Sequence, residues 1–213
     1  MGSRTFSLLK VLLLMGICHK ADASEIGLWS NTPDYFFIRF IVSTSATSGL
    51  IFFKWAETVY VLGKICAFFG HRDVAYSIQL ENKLKQEVIK LIEQGYDEFW
   101  LCDEGFFDNL SRVVMLELKE IYGSRIYLCY ICAYNPNKFS KDKIKHLEAR
   151  YEIDYPDVVY EGLQKYAIIR RNQYIADNVD AIICYITREY GGAYKAVKRA
   201  IKNNKTIINL ADL

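Results

Sequence analysis

The stretch "KICAFFGHRD", residues 64 to 73, decides how the chain is read. Five apolar residues in a row, ended by Gly70, describe a strand buried on both faces, as parallel sheets require. The character then changes at once: Gly70, His71, Arg72 and Asp73 place a flexible backbone, an imidazole, a guanidinium and a carboxylate at the strand's end. From Gly63 onward the same alternation continues. "SIQLENKLKQEVIKLIEQG" reads as a helix with Leu80, Leu84, Val88, Leu91 and Ile92 on one stripe and Gly95 as its stop. "EFWLCDEG" is a second strand, "DNLSRVVMLELKEIYG" a helix closed by Gly123, and "RIYLCYICAY" a third strand. Next comes a polar stretch with a helix from about Lys141. "DVVY" is read as a short fourth strand, "LQKYAIIRRNQYIADNV" as a helix, "DAIICYI" as a fully apolar strand, "AYKAVKRAIKN" as a helix and "KTIINL" as the last strand. Strands alternating with helices over this length predict an α/β fold. The expectation is a Rossmann-like, doubly wound, mostly parallel sheet with helices on both faces.

Composition agrees with a packed domain. Of 213 residues, 52% are hydrophobic and 24% charged, an ordinary globular balance, and three prolines leave little room for a linker-rich chain. The formal charge of +2 lacks the strong positive excess of a nucleic-acid platform, so the sequence counts against a nucleic-acid partner. Five of the six cysteines, Cys66, Cys102, Cys129, Cys132 and Cys184, lie in apolar runs where a free thiol behaves as a small hydrophobe. Cys129 and Cys132 have the CxxC spacing. On a strand, however, i and i+3 face opposite sides, and no second pair completes a tetrahedral set. Buried reduced thiols and no metal site are expected, which fits a cytoplasmic location.

Residues 1 to 62 do not fit the pattern. Residues 1 to 23 imitate a secretory signal, with Arg4 and Lys10 around an apolar run and small residues ending at Ala23. Residues 24 to 60 show no clean helix or strand period, and Arg39 with a Ser/Thr-rich centre makes "FFIRFIVSTSATSGLIFF" a poor membrane span. Three readings compete: a signal peptide with a short segment, a membrane-associated extension, or translated sequence upstream of the true start. The third is favoured, because Val61 and Leu62 are residues that alternative bacterial start codons would encode. The chain is thus divided into an atypical extension, 1–62, and a domain, 63–213. If the signal-like segment is genuine, export or membrane association replaces the cytoplasmic expectation.

In a doubly wound sheet, ligands bind beyond the carboxyl ends of the strands. Three such ends carry unusual residues: Gly70-His71-Arg72-Asp73, the run Asp103 to Asp108, and the run Thr187 to Tyr194. Gly191 and Gly192 before a helix allow bare amides and the helix dipole to approach an anion; a plain turn needing positive φ is the alternative. Arg72 offers a fork suited to phosphate, or serves as a surface ion-pair partner. His71 is either a proton carrier or hydrogen-bond donor to a ligand, or a histidine satisfied by local backbone. Asp108 is read as a helix N-cap, with a ribose hydroxyl contact as the sharper alternative. Arg171 and Asn172 belong to a solvated face, unless Arg171 points inward and supplies a second cation. GxSxG, HExxH, Walker and GxGxxG motifs are all missing, which removes serine hydrolases, zincins, P-loop enzymes and ordinary NAD dehydrogenases. No catalytic residue is assigned.

Taken together, "CAFFGHR", "GFFD", "YAIIRRNQYIADNVDAIICYI" and "GGAYKAVKRA" with "KTIINL" resemble the YpsA-like branch of the SLOG superfamily, the Rossmann-like group that includes DprA and the LOG enzymes. The resemblance spans about Lys64 to Leu210. It implies a pocket for a nucleotide or nucleotide-derived, NAD- or ADP-ribose-like ligand, with no certain cofactor. By the same resemblance Gly70, His71 and Arg72 match "GHR"; Gly105, Phe107 and Asp108 match "GxFD"; Arg171 and Asn172 match "RN"; and Gly191 and Gly192 match "GG". Asp103 and Glu104 stand where relatives are richer in glycine, and would repel a phosphate unless turned to sugar hydroxyls or solvent. The PGGxGTxxE motif of the LOG enzymes is not present. The implied function is sensing or regulatory nucleotide binding. The alternative is hydrolysis of an N-glycosidic or phosphate bond with Glu104, Asp108 or Glu189 as acid–base group, and a DNA-handling module is a third class.

Overall fold

The computed structural model describes residues 26–32, 35–44, 52–61, 63–161 and 163–212, with side chains from Gly63 onward. The signal-like segment 1–23 and Cys18 lie outside the described residues. The chain divides into two compact units, Met1–Leu62 and Gly63–Leu213.

In the first unit, β1 (Ile26–Thr32), β2 (Tyr35–Thr44) and β3 (Phe52–Val61) form an antiparallel sheet in the order β1-β2-β3. This corrects the expectation of a segment without strand period. The run "YFFIRFIVST" is nearly continuous in apolar residues, so it lacks the alternation by which an antiparallel strand is recognised.

The second unit carries β4 (Lys64–Gly70), α1 (Ile78–Glu93), β5 (Tyr96–Leu101), α2 (Phe106–Tyr122), β6 (Tyr127–Ile131), α3 (Lys141–Glu148), β7 (Glu152–Asp154), α4 (Asp157–Tyr160), α5 (Ala167–Asn178), β8 (Ala181–Tyr185), α6 (Gly192–Lys202) and β9 (Thr206–Asn209). The six strands pair in the order β7-β6-β5-β4-β8-β9, all parallel. The α/β doubly wound, Rossmann-like expectation holds. One element differs: "DVVY" is the short helix α4, and the fourth strand of this sheet is the preceding Glu152–Asp154. Pro156 at the N-cap opens that helix, and four residues are too few for periodicity to separate the two states.

The helices cover both faces. Leu80, Leu84 and Val88 of α1 and Leu110, Val114 and Met115 of α2 pack with Cys66, Phe68 and Phe99 on one side. Ile175 and Ala176 of α5 and Ala196, Val197 and Ala200 of α6 pack with Ile65, Ala67, Phe69 and Cys184 on the other. The stripe predicted for α1 is the set that is buried, and Ser77 caps its start by accepting from the Leu80 amide at 3.1 Å. Cys129 and Cys132 fall on opposite faces. All five domain cysteines are buried thiols outside any disulfide, and burial pushes Cys102, Cys132 and Cys184 up to about 12. Among the described residues no helix is long and apolar enough to cross a membrane.

The chain runs outward from β4 through β5 and β6 to β7, then returns to add β8 and β9 on the other side of β4. Connections therefore diverge in opposite directions at the β4–β8 boundary, and this opens a crevice at their carboxyl ends.

Candidate ligand pocket at the strand switch point

The crevice contains a cavity of about 210 Å3. Its first wall is the end of β4, where Gly70 pairs with Tyr185 and the His71 amide donates to the Tyr185 carbonyl at 3.4 Å. Gly70 is glycine because the fold leaves no space: a Cβ there would lie 2.4 Å from the Phe107 Cβ. Phe107 is fully buried, and it forms the floor under this turn without lining the cavity. Gly105 is likewise outside the lining; a Cβ on it would sit 2.9 Å from the Arg72 Cα, so its smallness brings the second loop against the first.

The second wall is α5. Arg171 is 2% exposed and Asn172 9%, so these residues face inward and the solvated-face reading does not hold. Arg171 donates through Nη1 to Glu104 Oε1 at 3.2 Å and through Nε and Nη2 to Asn172 Oδ1 at 3.3 and 3.0 Å. Because Oδ1 is held by the arginine, the Asn172 amide nitrogen lies on the Gly192 side, 3.8 Å from where a Cβ of that residue would be. The third wall is the amino end of α6. Gly191 caps it with φ of 98°, in the region that favours glycine, and Gly191, Gly192 and Ala193 line the cavity. Amide donors and the positive end of the helix dipole thus meet the crevice.

Glu104 and Asp108 bring negative charge to the same place. Glu104 lies between Arg171 and Arg72, whose Nη2 is 3.5 Å away, so the expected repulsion is offset by two guanidinium groups. Arg72 itself is 71% exposed at the rim. Asp103 turns away and pairs with Lys143 at 3.4 Å. Asp108 is not the N-cap of α2; that position belongs to Gly105. Three residues into the helix, its carboxylate reaches back to accept from the Glu104 amide at 3.0 Å. Burial raises its pKa to about 6, with the Arg171 charge pulling the other way and Glu104 and Asp103 adding to the rise.

His71 is 5% exposed, and its Nε2 has no hydrogen-bond partner. Burial first, then the charge of Arg188, hold its pKa below the ordinary imidazole range, while Asp73 and a hydrogen bond to the Arg188 backbone act in the opposite sense. Arg188 is a lining residue that sequence reasoning passed over, although it stands at a strand end already singled out. Asp73 grips it through both Nη atoms at 2.7 Å, which ties the β8–α6 loop to the β4 loop. Phe69, Ile168 and Ala193 supply the apolar part of the lining.

Of the residues matched to motifs, Gly70, His71, Arg72, Asp108, Arg171, Asn172, Gly191 and Gly192 surround one cavity; Gly105 and Phe107 shape it from behind. Of the three acid–base candidates, Asp108 and Glu104 line it and the exposed Glu189 does not. Among the described residues no group of three or more His, Cys, Asp or Glu is arranged to hold a metal.

No protein-family model and no curated protein matches the sequence. Solved structures with a similar chain course include DNA processing protein A (DprA) from Streptococcus pneumoniae, at 17% identity and a TM-score of 0.48, covering 68% of this chain and 49% of that one. DprA from Helicobacter pylori is similar at 14% identity and 0.47, covering 68% and 64%. A probable rRNA-methyltransferase from Porphyromonas gingivalis is similar at 10% and 0.26, covering 94% and 80%. The chain spans about half to two thirds of the DprA chains it resembles, and at these identities the likeness concerns the fold alone. The expectation that set nucleic acid aside is nevertheless corrected: both DprA neighbours are DNA-processing proteins, and the Helicobacter pylori one is described by its single-stranded DNA binding mode. A formal charge summed over a whole chain reports nothing of how charge is distributed at one crevice, so +2 does not by itself set a nucleic-acid partner aside.

Proposed function

We propose that the domain from Gly63 to Leu213 is a YpsA-like member of the SLOG superfamily that binds a nucleotide or nucleotide-derived ligand of the NAD or ADP-ribose kind, in a sensing or regulatory role. The observation that carries this reading is the convergence, at the β4–β8 switch point, of the α6 amino end behind Gly191 with the inward-facing Arg171 and the β4 turn. A helix amino end with a glycine at positive φ suits a phosphate, and a guanidinium beside it suits the charge. The apolar side chains of Phe69 and Ile168 suit the less polar parts of such a ligand.

The test is calorimetry of the full chain against AMP, ADP-ribose, NAD and a single-stranded oligodeoxynucleotide. Binding of one of the first three, abolished in Gly191→Val with the fold retained by circular dichroism, supports the reading. An oligonucleotide that binds while the small nucleotides do not would move the site to nucleic acid.

A second reading, hydrolysis of an N-glycosidic or phosphate bond, draws on Asp108. A buried carboxyl with a pKa of about 6, lining the cavity, can give or take a proton near neutrality. Products released from the bound nucleotide by the native chain, and not by Asp108→Asn, would favour it over binding alone.

A further inference from the structure

Two buried side-chain atoms among the described residues lack any hydrogen-bond partner, His71 Nε2 and Arg188 Nε, and both residues line the same cavity. Unpaired polar atoms out of water are costly, and a protein that leaves two in one place is built for a group that satisfies both. Their chemistry is complementary. The Arg188 guanidinium cannot turn away, because Asp73 holds both its Nη atoms at 2.7 Å, so Nε presents a fixed proton. His71 is buried and disfavours a charge, and its remaining hydrogen bond runs to the Arg188 backbone. With Nε2 unpartnered, that bond belongs to Nδ1, which as donor to a carbonyl carries the ring's single proton. Nε2 then presents a lone pair, so His71 faces the ligand as an acceptor rather than as a donor.

A hydroxyl answers both atoms, taking the Nε proton on its lone pair and giving its own proton to Nε2. A fully ionised phosphate answers only the arginine, having no proton to offer. We propose that His71 and Arg188 together read a hydroxyl on the sugar of the ligand, so that the pocket selects a phosphorylated sugar over a phosphate carrying no hydroxyl. The inference rests on the nucleotide reading above and adds the sugar as the part that is discriminated. His71 thereby acts as a specificity-determining residue, with Asp73 as a positioning residue behind Arg188.

The full chain is titrated with ribose 5-phosphate, butyl phosphate and inorganic phosphate, and the nitrogen resonances of His71 are followed by NMR. The native protein is expected to hold ribose 5-phosphate about tenfold more tightly than butyl phosphate, the size of one buried hydrogen bond. His71→Phe should erase that preference. At about pH 8 the free protein should show a neutral His71 protonated at Nδ1, and ribose 5-phosphate, but not butyl phosphate, whose dianion carries no proton, should move the Nε2 resonance. A proton on Nε2, a charged ring, or a preference that survives in His71→Phe would overturn the proposal, the last because the sugar would then be read by other residues. The NMR readout on the native chain stands even if the variant fails to fold. Equal binding of all three phosphates sinks the sugar reading and leaves the phosphate site intact, whereas binding of none sinks both.

Discussion

Two clusters of charge sit along the same carboxyl edge of the sheet, and they are built differently. Beyond β5 and β6, Asp103 takes a hydrogen bond from the Tyr130 phenol and an ion pair from Lys143 at 3.4 Å. Arg112 lies between the Tyr130 and Tyr151 rings, 6.0 and 5.7 Å from their centroids, with its Nε 3.5 Å from the Tyr151 hydroxyl. Beyond β4 and β8, by contrast, Arg171, Asp108, Glu104, His71 and Arg188 surround a cavity, and one atom of His71 and one of Arg188 are left unpaired. The β5 and β6 crossovers run in one direction, so their loops close over each other. At the β4–β8 boundary they diverge, and no loop is available to fill the space. Closed polar clusters stabilise a fold, whereas open ones hold something else at a cost in stability.

The largest effect expected is from Arg171→Met. Removing one partner of a buried charge cluster leaves the 7% exposed Asp108 uncompensated and Glu104 with only the exposed Arg72, a loss of about 3–5 kcal/mol in denaturant unfolding. Adding Asp108→Asn to it should recover part of that loss, since one of the stranded carboxylates is then neutral. If Arg171→Met unfolds like the native chain, the switch-point cluster is not electrostatically coupled and the contrast collapses.

Next in size is the pH dependence that Asp108 imposes. Its pKa rises from 3.8 to about 6 on folding. Between those values the folded chain keeps a proton that the unfolded chain has lost, so this group's contribution to stability falls as pH rises from about 4 to about 6 and is flat above. At about 1.4 kcal/mol per pH unit the cost above pH 6 is about 2–3 kcal/mol. Asp108→Asn, whose amide oxygen still accepts from the Glu104 amide, should be more stable than the native chain by that amount at pH 7.5 and no different at pH 4. Equal pH profiles for the two proteins would show that Asp108 is ionised and content where it sits.

How far the sequence led depended on what each residue reports. The strands of the second sheet were legible from Gly63 onward because parallel strands are apolar throughout, and the α1 stripe because a helix against a sheet must be amphipathic. The matched residues fell around one crevice because strand ends and helix starts are fixed once the order of elements is known. Other features were hidden because they depend on partners distant in sequence. Arg188 is defined by Asp73, 115 positions away, and Arg171 by Glu104, 67 positions away. Asp108 looked like a cap because it stood near a helix start, and only the position of Gly105 shows it is three residues inside. The strands of the first unit escaped because nothing in their apolar runs alternates.

The smallest effect tests the closed cluster. In Arg112→Leu the side chain keeps much of its apolar volume between the two tyrosines and loses the guanidinium's attraction to their faces, along with the 3.4 Å bond to Asn109 Oδ1. Asp103 keeps Lys143 and the Tyr130 phenol, so no carboxylate is stranded. The expected loss is about 1 kcal/mol, roughly a quarter of the Arg171 effect. Binding of whichever phosphate the calorimetry identifies should not change. A loss as large as that of Arg171→Met, or a weakened ligand, would mean the two clusters are one network running along the strand ends through Asp103, Cys102 and Asp108, and the division drawn at the switch point would have to be given up.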